Sequence, residues 1–342
     1  MKLVSRIATF ILIAFLFAQS VLVVEAKGEN KKPDPHFRDK AMHVEKSRTP
    51  YYGNEAVVDI YLADSVLYSV DIVTQDVVGI EPEVMSYQVD ATYNEEQLRG
   101  MAETMITDFI GDKVKLDKLS YSLGQKIGTY FFRWEDADKQ LDSGIYPFIQ
   151  VGLSQNGDFL NFVNTLPFGK NFASLQAPKV QMMPVQAPYL IGPFNQIYAN
   201  GGSYWTPTTW TWSSGTGGYF GTAPIPAGCS GTFCTKYYYT TARSSAYVYG
   251  KWTPNSNTST QASAYIPAYN ATATVQYVIQ PRSGGTTIYT IVDQNAWTGW
   301  KRITPSTVAN GISYVQLWDV GFNGTGTSSY KVGWDELWVY NP

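Results

Sequence analysis

The residues of this chain best suited to chemistry are aromatic. Trp297 stands in Asn295-Ala296-Trp297-Thr298-Gly299, a predicted turn, with Asp293 just before it and Trp300 just after. Turns rarely bury tryptophan, so Trp297 is expected to offer its ring to a ligand. Trp210 and Trp212 lie in Tyr204-Trp205-Thr206-Pro207-Thr208-Thr209-Trp210-Thr211-Trp212. They share a face if that segment is extended, at the edge of a groove or as an irregular strand closing the base of a sheet. The closing segment, Tyr330 to Tyr340, reads as one strand. Alternation puts Trp334, Glu336, Trp338 and Tyr340 on one face and Asp335, Leu337 and Val339 on the other. Either the tryptophans are core, or Leu337 and Val339 are and the tryptophans form an outward row. Open flat rings stack against sugar rings, whereas buried ones are packing.

Other chemistries find less to work with. Nucleophilic triads need a positioned base, and the only histidines, His36 and His43, sit in residues 27–50, a charged stretch with Pro33, Pro35 and no apolar period, read as a flexible lead-in. Residues 171–342 contain only Asp293, Asp319, Asp335 and Glu336 as acids. Adjacent Asp335 and Glu336 point to opposite faces of a strand, and nothing in the spacing requires Asp293 and Asp319 to meet as a glycosidase pair. No catalytic residue is assigned. A polysaccharide-cleaving second domain, lyase or glycosidase, stays as an alternative, with Lys236, Tyr237, Tyr238, Tyr239 and Arg243 as a source of a base or simply a strand edge. Asp319 and Asp335 are weak ligands for a structural calcium, which wants six or more oxygens; no other cofactor is indicated. Cys229 and Cys234 are expected to form a disulfide that pins a small loop, stabilising by about 2 kcal/mol.

The elements that must position these residues begin after an export signal. Lys2 and Arg6 precede an apolar run from Ile7 to Val24, and Val24-Glu25-Ala26 offers a cleavage point before charged residues. Residues 1–26 read as a signal peptide. A retained anchor is the alternative, and no later segment is apolar enough to span a membrane. The mature chain is thus expected to be secreted, extracellular or wall-associated, with no stable membrane insertion. Its length suggests two domains, and charge divides it: residues 1–170 hold 17 Lys or Arg against 24 Asp or Glu, whereas residues 171–342 hold 8 against 4 and nine of the ten tryptophans. No basic cluster marks a nucleic-acid footprint.

In the first domain, read over 51–166, Asn94-Glu95-Glu96-Gln97 is a helix cap followed by an apolar stripe of Leu98, Met101, Ala102, Met105, Ile106 and Phe109, closed by Gly111. Strand patterns follow, and Asn156-Gly157 marks a hairpin. Helix then meander, with Phe132-Arg133-Trp134-Glu135 and the run Pro147 to Leu160, resembles the PepSY-like domains of exported bacterial proteins over about 86–166. That resemblance implies a protease-proregion, inhibitory or wall-linked role and brings no catalytic residues. Residues 167–200, with five prolines, read as a linker.

Residues 201–342 show short alternating strands and turn signals, the pattern of a β-sandwich or jelly roll. Ala264-Tyr265-Ile266-Pro267-Ala268, Gly284-Gly285, Val292-Asp293-Gln294, Gly299-Trp300 and Trp334-Asp335-Glu336-Leu337 resemble the golvesin C-terminal, galactose-binding-like jelly roll over about 245–342, although that family more often has Asp-Ala where this chain has Asp335-Glu336. The expected fold is an α+β domain followed by an all-β sandwich. The expected function is non-catalytic binding of extracellular polysaccharide or cell-wall glycan through Trp297, Trp300, Trp210, Trp212, Trp334 and Asp293. A first domain acting as a proregion or protease inhibitor is a further alternative.

Overall fold

The structure, a computed structural model, describes residues 32–51, 54–87, 92–141, 146–171, 196–198, 205–207, 213–216, 236–246, 249–254, 258–282, 284–335 and 337–340. The signal segment, most of the expected linker, Trp210, Trp212, Cys229 and Cys234 lie outside the described residues. What is described is mostly antiparallel sheet with a single α-helix.

β1 (Met42–Tyr51), β2 (Asn54–Ala63), β3 (Val66–Asp71) and β4 (Val77–Pro82) run as a meander before helix α1 (Glu95–Ile110). β5 (Ser120–Lys126), β6 (Thr129–Glu135), β8 (Phe148–Ser154) and β9 (Phe159–Asn164) then fold back, giving an eight-stranded sheet in the order β1-β2-β3-β4-β9-β8-β6-β5. The short β7 (Lys139–Gln140) and β10 (Lys170–Asn171) pair beside it. Helix α1 starts where its sequence says it should. Asn94 Oδ1 accepts from the Gln97 amide at 2.9 Å, Gln97 Oε1 accepts from the Asn94 amide at 3.0 Å, and Gly111 ends the helix at φ +67°. Leu98, Ala102, Met105 and Ile106 bury against Phe132, Trp134, Ile149, Val151 and Phe162. The hairpin at Asn156-Gly157 joins β8 to β9, with Gly157 at φ +81°.

The flexible lead-in expected over 27–50 is corrected from residue 32 onward. Phe37 is 1% exposed and stacks on Tyr68 with ring centroids 3.9 Å apart. β1 pairs with β2 along its length, and His43 Nε2 lies 3.1 Å from Asp59 Oδ1. The charges of this stretch hid a strand whose partner supplies the missing order.

The second set of strands is β11 (Gln196–Tyr198), β12 (Trp205–Pro207), β13 (Ser213–Thr216), β14 (Lys236–Thr241), β15 (Tyr249–Trp252), β16 (Gln261–Ile266), β17 (Thr274–Pro281), β18 (Ile288–Asp293), β19 (Gly299–Arg302), β20 (Ile312–Trp318), β21 (Lys331–Trp334) and β22 (Leu337–Tyr340). They form a five-stranded sheet, β12-β15-β20-β17-β18, a four-stranded sheet, β11-β22-β16-β19, and a three-stranded sheet, β13-β14-β21. One core joins them: Trp252, Val275, Tyr277, Ile279, Val315 and Leu317 from the first meet Ala262, Ala264, Leu337 and Val339 from the second and Val332 and Trp334 from the third.

The closing strand is not one strand. β21 pairs with β14, and β22 pairs with β16, so the chain changes sheet between Trp334 and Leu337. Trp334 points into the core and donates its indole N–H to the Leu317 carbonyl at 2.9 Å. Leu337 and Val339 are core too, which puts Trp338 and Tyr340 on the other face of the four-stranded sheet.

Candidate functional site

Among the described residues the first expected ligand contact, the turn after β18, is instead the junction of the two sets of strands. Asp293 caps the turn by accepting from the Asn295 amide at 2.9 Å. Gln294 turns inward, its Nε2 donating to the Gly333 carbonyl at 2.8 Å and its Oε1 accepting from the Gly333 amide at 3.0 Å. The outer side of the turn meets the β5–β6 hairpin. Lys126 is buried there, and its ammonium donates to the carbonyls of Gln294 (2.7 Å) and Trp297 (2.6 Å). Asn295 Oδ1 accepts from the Ile127 amide at 3.0 Å, while its Nδ2 donates to the Ile127 carbonyl (2.7 Å) and the Tyr87 hydroxyl (3.0 Å). Thr129 donates to the Asn295 carbonyl at 2.8 Å, and Asn161 Nδ2 donates to the Ala296 carbonyl at 2.9 Å. Burial pushes the Lys126 pKa well below its ordinary value, and nearby Asp293 opposes that only in part. Burial likewise raises Asp293 and Tyr87, which share a hydrogen bond.

This docking explains why β6, β8 and β9 are buried on both faces although one face is polar. Thr129, Arg133, Glu135, Gln150 and Asn161 are all buried, where a solvated antiparallel sheet would expose them. It also corrects the view of Trp297 as an accessible turn residue. Trp297 is 6% exposed, its indole N–H donates to the Trp300 carbonyl at 2.9 Å, and the Lys301 ammonium sits 4.5 Å from its ring centroid. Lys301 is itself paired with Glu81.

A similar cover lies over the outer face of the four-stranded sheet. Trp338 and Tyr340 stack with centroids 3.9 Å apart, and Trp300 adjoins Trp338 at 6.4 Å and Tyr265 at 5.5 Å. Tyr265 packs with Leu141, and the half-buried Trp300 and Phe168 pack against them. β1 closes the rest: Ser47 donates to Gln261 at 2.7 Å, and Glu45 pairs with Arg302. The outward row of rings is therefore real, but the helix-bearing sheet occupies it. Trp334 is core, Trp297 and Asp293 belong to the junction, and Trp300 is at its rim.

Among the described residues the outer side of the five-stranded sheet is left open. Strand alternation sends Val315 and Leu317 inward and Tyr314, Gln316 and Trp318 outward. Register assembles three rows. Trp318 lies opposite Tyr249, and Ile291 opposite Gln276. Gln316 lies between Lys251 and Val278, with Tyr289 beyond. Tyr314 lies opposite Gln280, which accepts from Thr287 at 2.8 Å. Tyr249 and Trp318 pack with centroids 4.5 Å apart, and the Lys251 ammonium stands 4.3 Å from the Tyr314 ring centroid. Tyr289 and Ile291 are 62% and 53% exposed. From Tyr314 to Trp318 the face runs about 13 Å along β20, and it spans about 14 Å across four strands.

Gln280 is committed, but other polar groups of the face are not. The amides of Gln276 and Gln316, the indole N–H of Trp318 and the hydroxyls of Tyr289 and Tyr314 make no hydrogen bond within the described residues. Rings that stack and amides and hydroxyls that are free to bond suit a ligand with flat apolar faces and equatorial hydroxyls. Sequence reasoning saw β20 as a strand but not its role, because Tyr249 and Tyr289 join Trp318 only through register.

The carboxylates offer little beside this. Asp319 is fully buried and pairs with Arg243 Nε at 3.3 Å. It follows Leu317 to the inner side of the sheet, whereas Asp293 follows Tyr289 and Ile291 to the outer side, so the two do not converge. Asp335 is buried as well. Among the described residues no group of three or more His, Cys, Asp or Glu side chains stands together as a metal site. β14, with Tyr239, is the middle strand of its sheet rather than an edge.

No family model matches the chain, and no curated protein does. Solved structures give loose likenesses. A xanthan lyase of Paenibacillus superposes at a TM-score of 0.33 with 11% identity, over 84% of this chain and 35% of that one, so the chain spans about a third of the lyase. An exo-β-1,3-galactanase of Phanerochaete chrysosporium gives 0.30 and 10%, over 88% and 69%. Carbohydrate-binding modules of the β-sandwich superfamily give 0.14 and 8%, over 65% and 89%. These neighbours are carbohydrate-active proteins, and at such scores no residue carries over from them.

Proposed function

We propose that this chain is a secreted, non-catalytic protein that holds extracellular polysaccharide or cell-wall glycan on the outer face of its five-stranded sheet. A two-domain division underlies the reading, with a PepSY-like α+β domain followed by a golvesin-like jelly roll. The observation that carries it is the co-location of Trp318, Tyr249, Tyr314 and Tyr289 with the unbonded amides of Gln276 and Gln316 on one open face. Sugar rings stack on Trp318 and Tyr314, and the amides and the Trp318 N–H take the hydroxyls. Binding needs no rearrangement, because the strands already fix the rings.

The helix-bearing sheet has a supporting part in this reading. It covers the second row of rings and grips the 294–297 turn, so it acts as a permanent partner rather than a releasable proregion. Export through residues 1–26 belongs to the same proposal, and mass spectrometry of the secreted form would check both: one species beginning near Lys27 and running to the C-terminus is expected, and cleavage within 167–200 would contradict it. The binding claim is tested by co-sedimentation of the full chain with a panel of insoluble glycans, beside Trp318→Ala. Wild-type retention on at least one glycan, lost in the variant, is expected; no retention on any polymer overturns the reading.

A further inference from the structure

Resting on that reading, we infer that the glycan carried by the five-stranded sheet is an anionic one, its acidic group seated at Lys251. This lysine stands on β15, in the middle of the three rows. It lies opposite Gln316, one row from the Trp318–Tyr249 pair, and leans over Tyr314 with its ammonium 4.3 Å from the ring centroid. It is half-buried beside Tyr314 and pairs with no carboxylate among the described residues. Two other lysines of this half differ: Lys301 pairs with Glu81, and Lys331 donates to Thr241 at 3.0 Å. The ring face of Tyr314 gives the ammonium partial compensation, weaker than a counter-ion in the same place.

The rest of the face points the same way. Its outward residues are aromatic, amide or aliphatic, and the one carboxylate on its side of β18, Asp293, lies at the strand end and is held by Tyr87 and the Asn295 amide. Among the described residues no other acid stands on the face to repel a charged chain. The segment that carries the face, residues 171–342, holds 8 Lys or Arg against 4 Asp or Glu, so any preference for an anion is local, against a whole-chain net charge of −3. Because an ammonium is a compact point charge rather than a planar fork, both a sugar carboxylate and a sulfate ester satisfy it. The shared chemistry is an anionic substituent on a ring that stacks beside it.

The test uses the full-length protein and measures binding to polygalacturonate and alginate, each against its carboxyl-reduced neutral twin, with dextran sulfate against dextran as the sulfate arm. Wild type is expected to bind at least one anionic polymer about tenfold tighter than its twin at low salt, with the preference shrinking as ionic strength rises. Preference within the polyuronate pairs identifies carboxylate, and within the dextran pair sulfate. Lys251→Met should abolish the preference, so that a charged polymer binds no tighter than its neutral twin, and Lys251→Arg should keep it. Equal affinity for charged and neutral twins, or a preference that survives Lys251→Met, overturns the inference while leaving glycan binding by the face intact. Absence of binding to every polymer, charged or neutral, sinks the underlying reading and this inference together.

Discussion

The turn at 293–300 and the sheet face around Trp318 are built from the same kinds of residue: tryptophan, amide side chains, a lysine and a tyrosine hydroxyl. In the turn the polar groups named above are used. Asn295 spends both ends of its amide on Ile127 and Tyr87, Gln294 brackets Gly333, Lys126 donates to two carbonyls, and Trp297 donates to Trp300. On the face the corresponding groups of Gln276, Gln316 and Trp318 make no hydrogen bond among the described residues, and Lys251 has only the ring of Tyr314. Composition does not separate a joint from a ligand surface; the bonding state of the polar atoms does.

Trp297→Ala breaks the comparison on the stability side and should have the largest effect. Removing a buried indole at the junction is expected to cost about 3–5 kcal/mol, read as a lower urea midpoint, and a change under 1 kcal/mol would mean that Trp297 is not packed as described. Asn295→Ala strands the Ile127 N–H and C=O and should cost about 2–3 kcal/mol by the same measurement. A neutral result would argue that water replaces the side chain and that the junction is open.

Trp318→Ala should act on binding instead, weakening glycan affinity by about 2 kcal/mol, roughly 30-fold in Kd, with a smaller change in the urea midpoint than Trp297→Ala gives. The smallest effect concerns pH. Burial holds the Lys126 pKa below its ordinary 10.5, so between the lowered value and 10.5 the unfolded chain binds more protons than the folded one. Stability therefore gains as pH rises through that window and is lost as pH falls through the lowered value. Tyr87, Tyr277 and Tyr340, raised by burial, contribute stability below pH 10 that is lost as pH climbs toward their raised values. Lys126→Met should flatten the alkaline-side gain without touching the tyrosine-linked loss; an unchanged profile would place Lys126 in solvent.

Local chemistry was the readable part of this chain. Asn94 and Gln97 specify the helix start, Asn156-Gly157 the hairpin, and the alternation from Ile312 to Trp318 the strand, because each signal lies within a few residues. What lies between distant residues was hidden. The sheet change after Trp334 depends on β21 and β22 choosing β14 and β16, more than seventy residues upstream. The burial of Trp297 depends on a hairpin at 120–135. Thr129 and Asn161 are interior because the docked turn, more than 130 residues downstream, accepts their hydrogen bonds. The same gap hid the candidate site, since Tyr249, Trp318 and Tyr289 come from strands joined by pairing alone.

The central claim, that the open sheet face and not the buried turn holds the glycan, is tested most directly by one set of isotherms. Full-length wild type, Trp318→Ala and Trp297→Phe would be titrated onto the same insoluble glycan, with circular dichroism to show that each is folded. The account expects Trp318→Ala to weaken binding roughly 30-fold and Trp297→Phe to stay within about twofold of wild type. Loss of binding in Trp297→Phe with wild-type affinity in Trp318→Ala would contradict it.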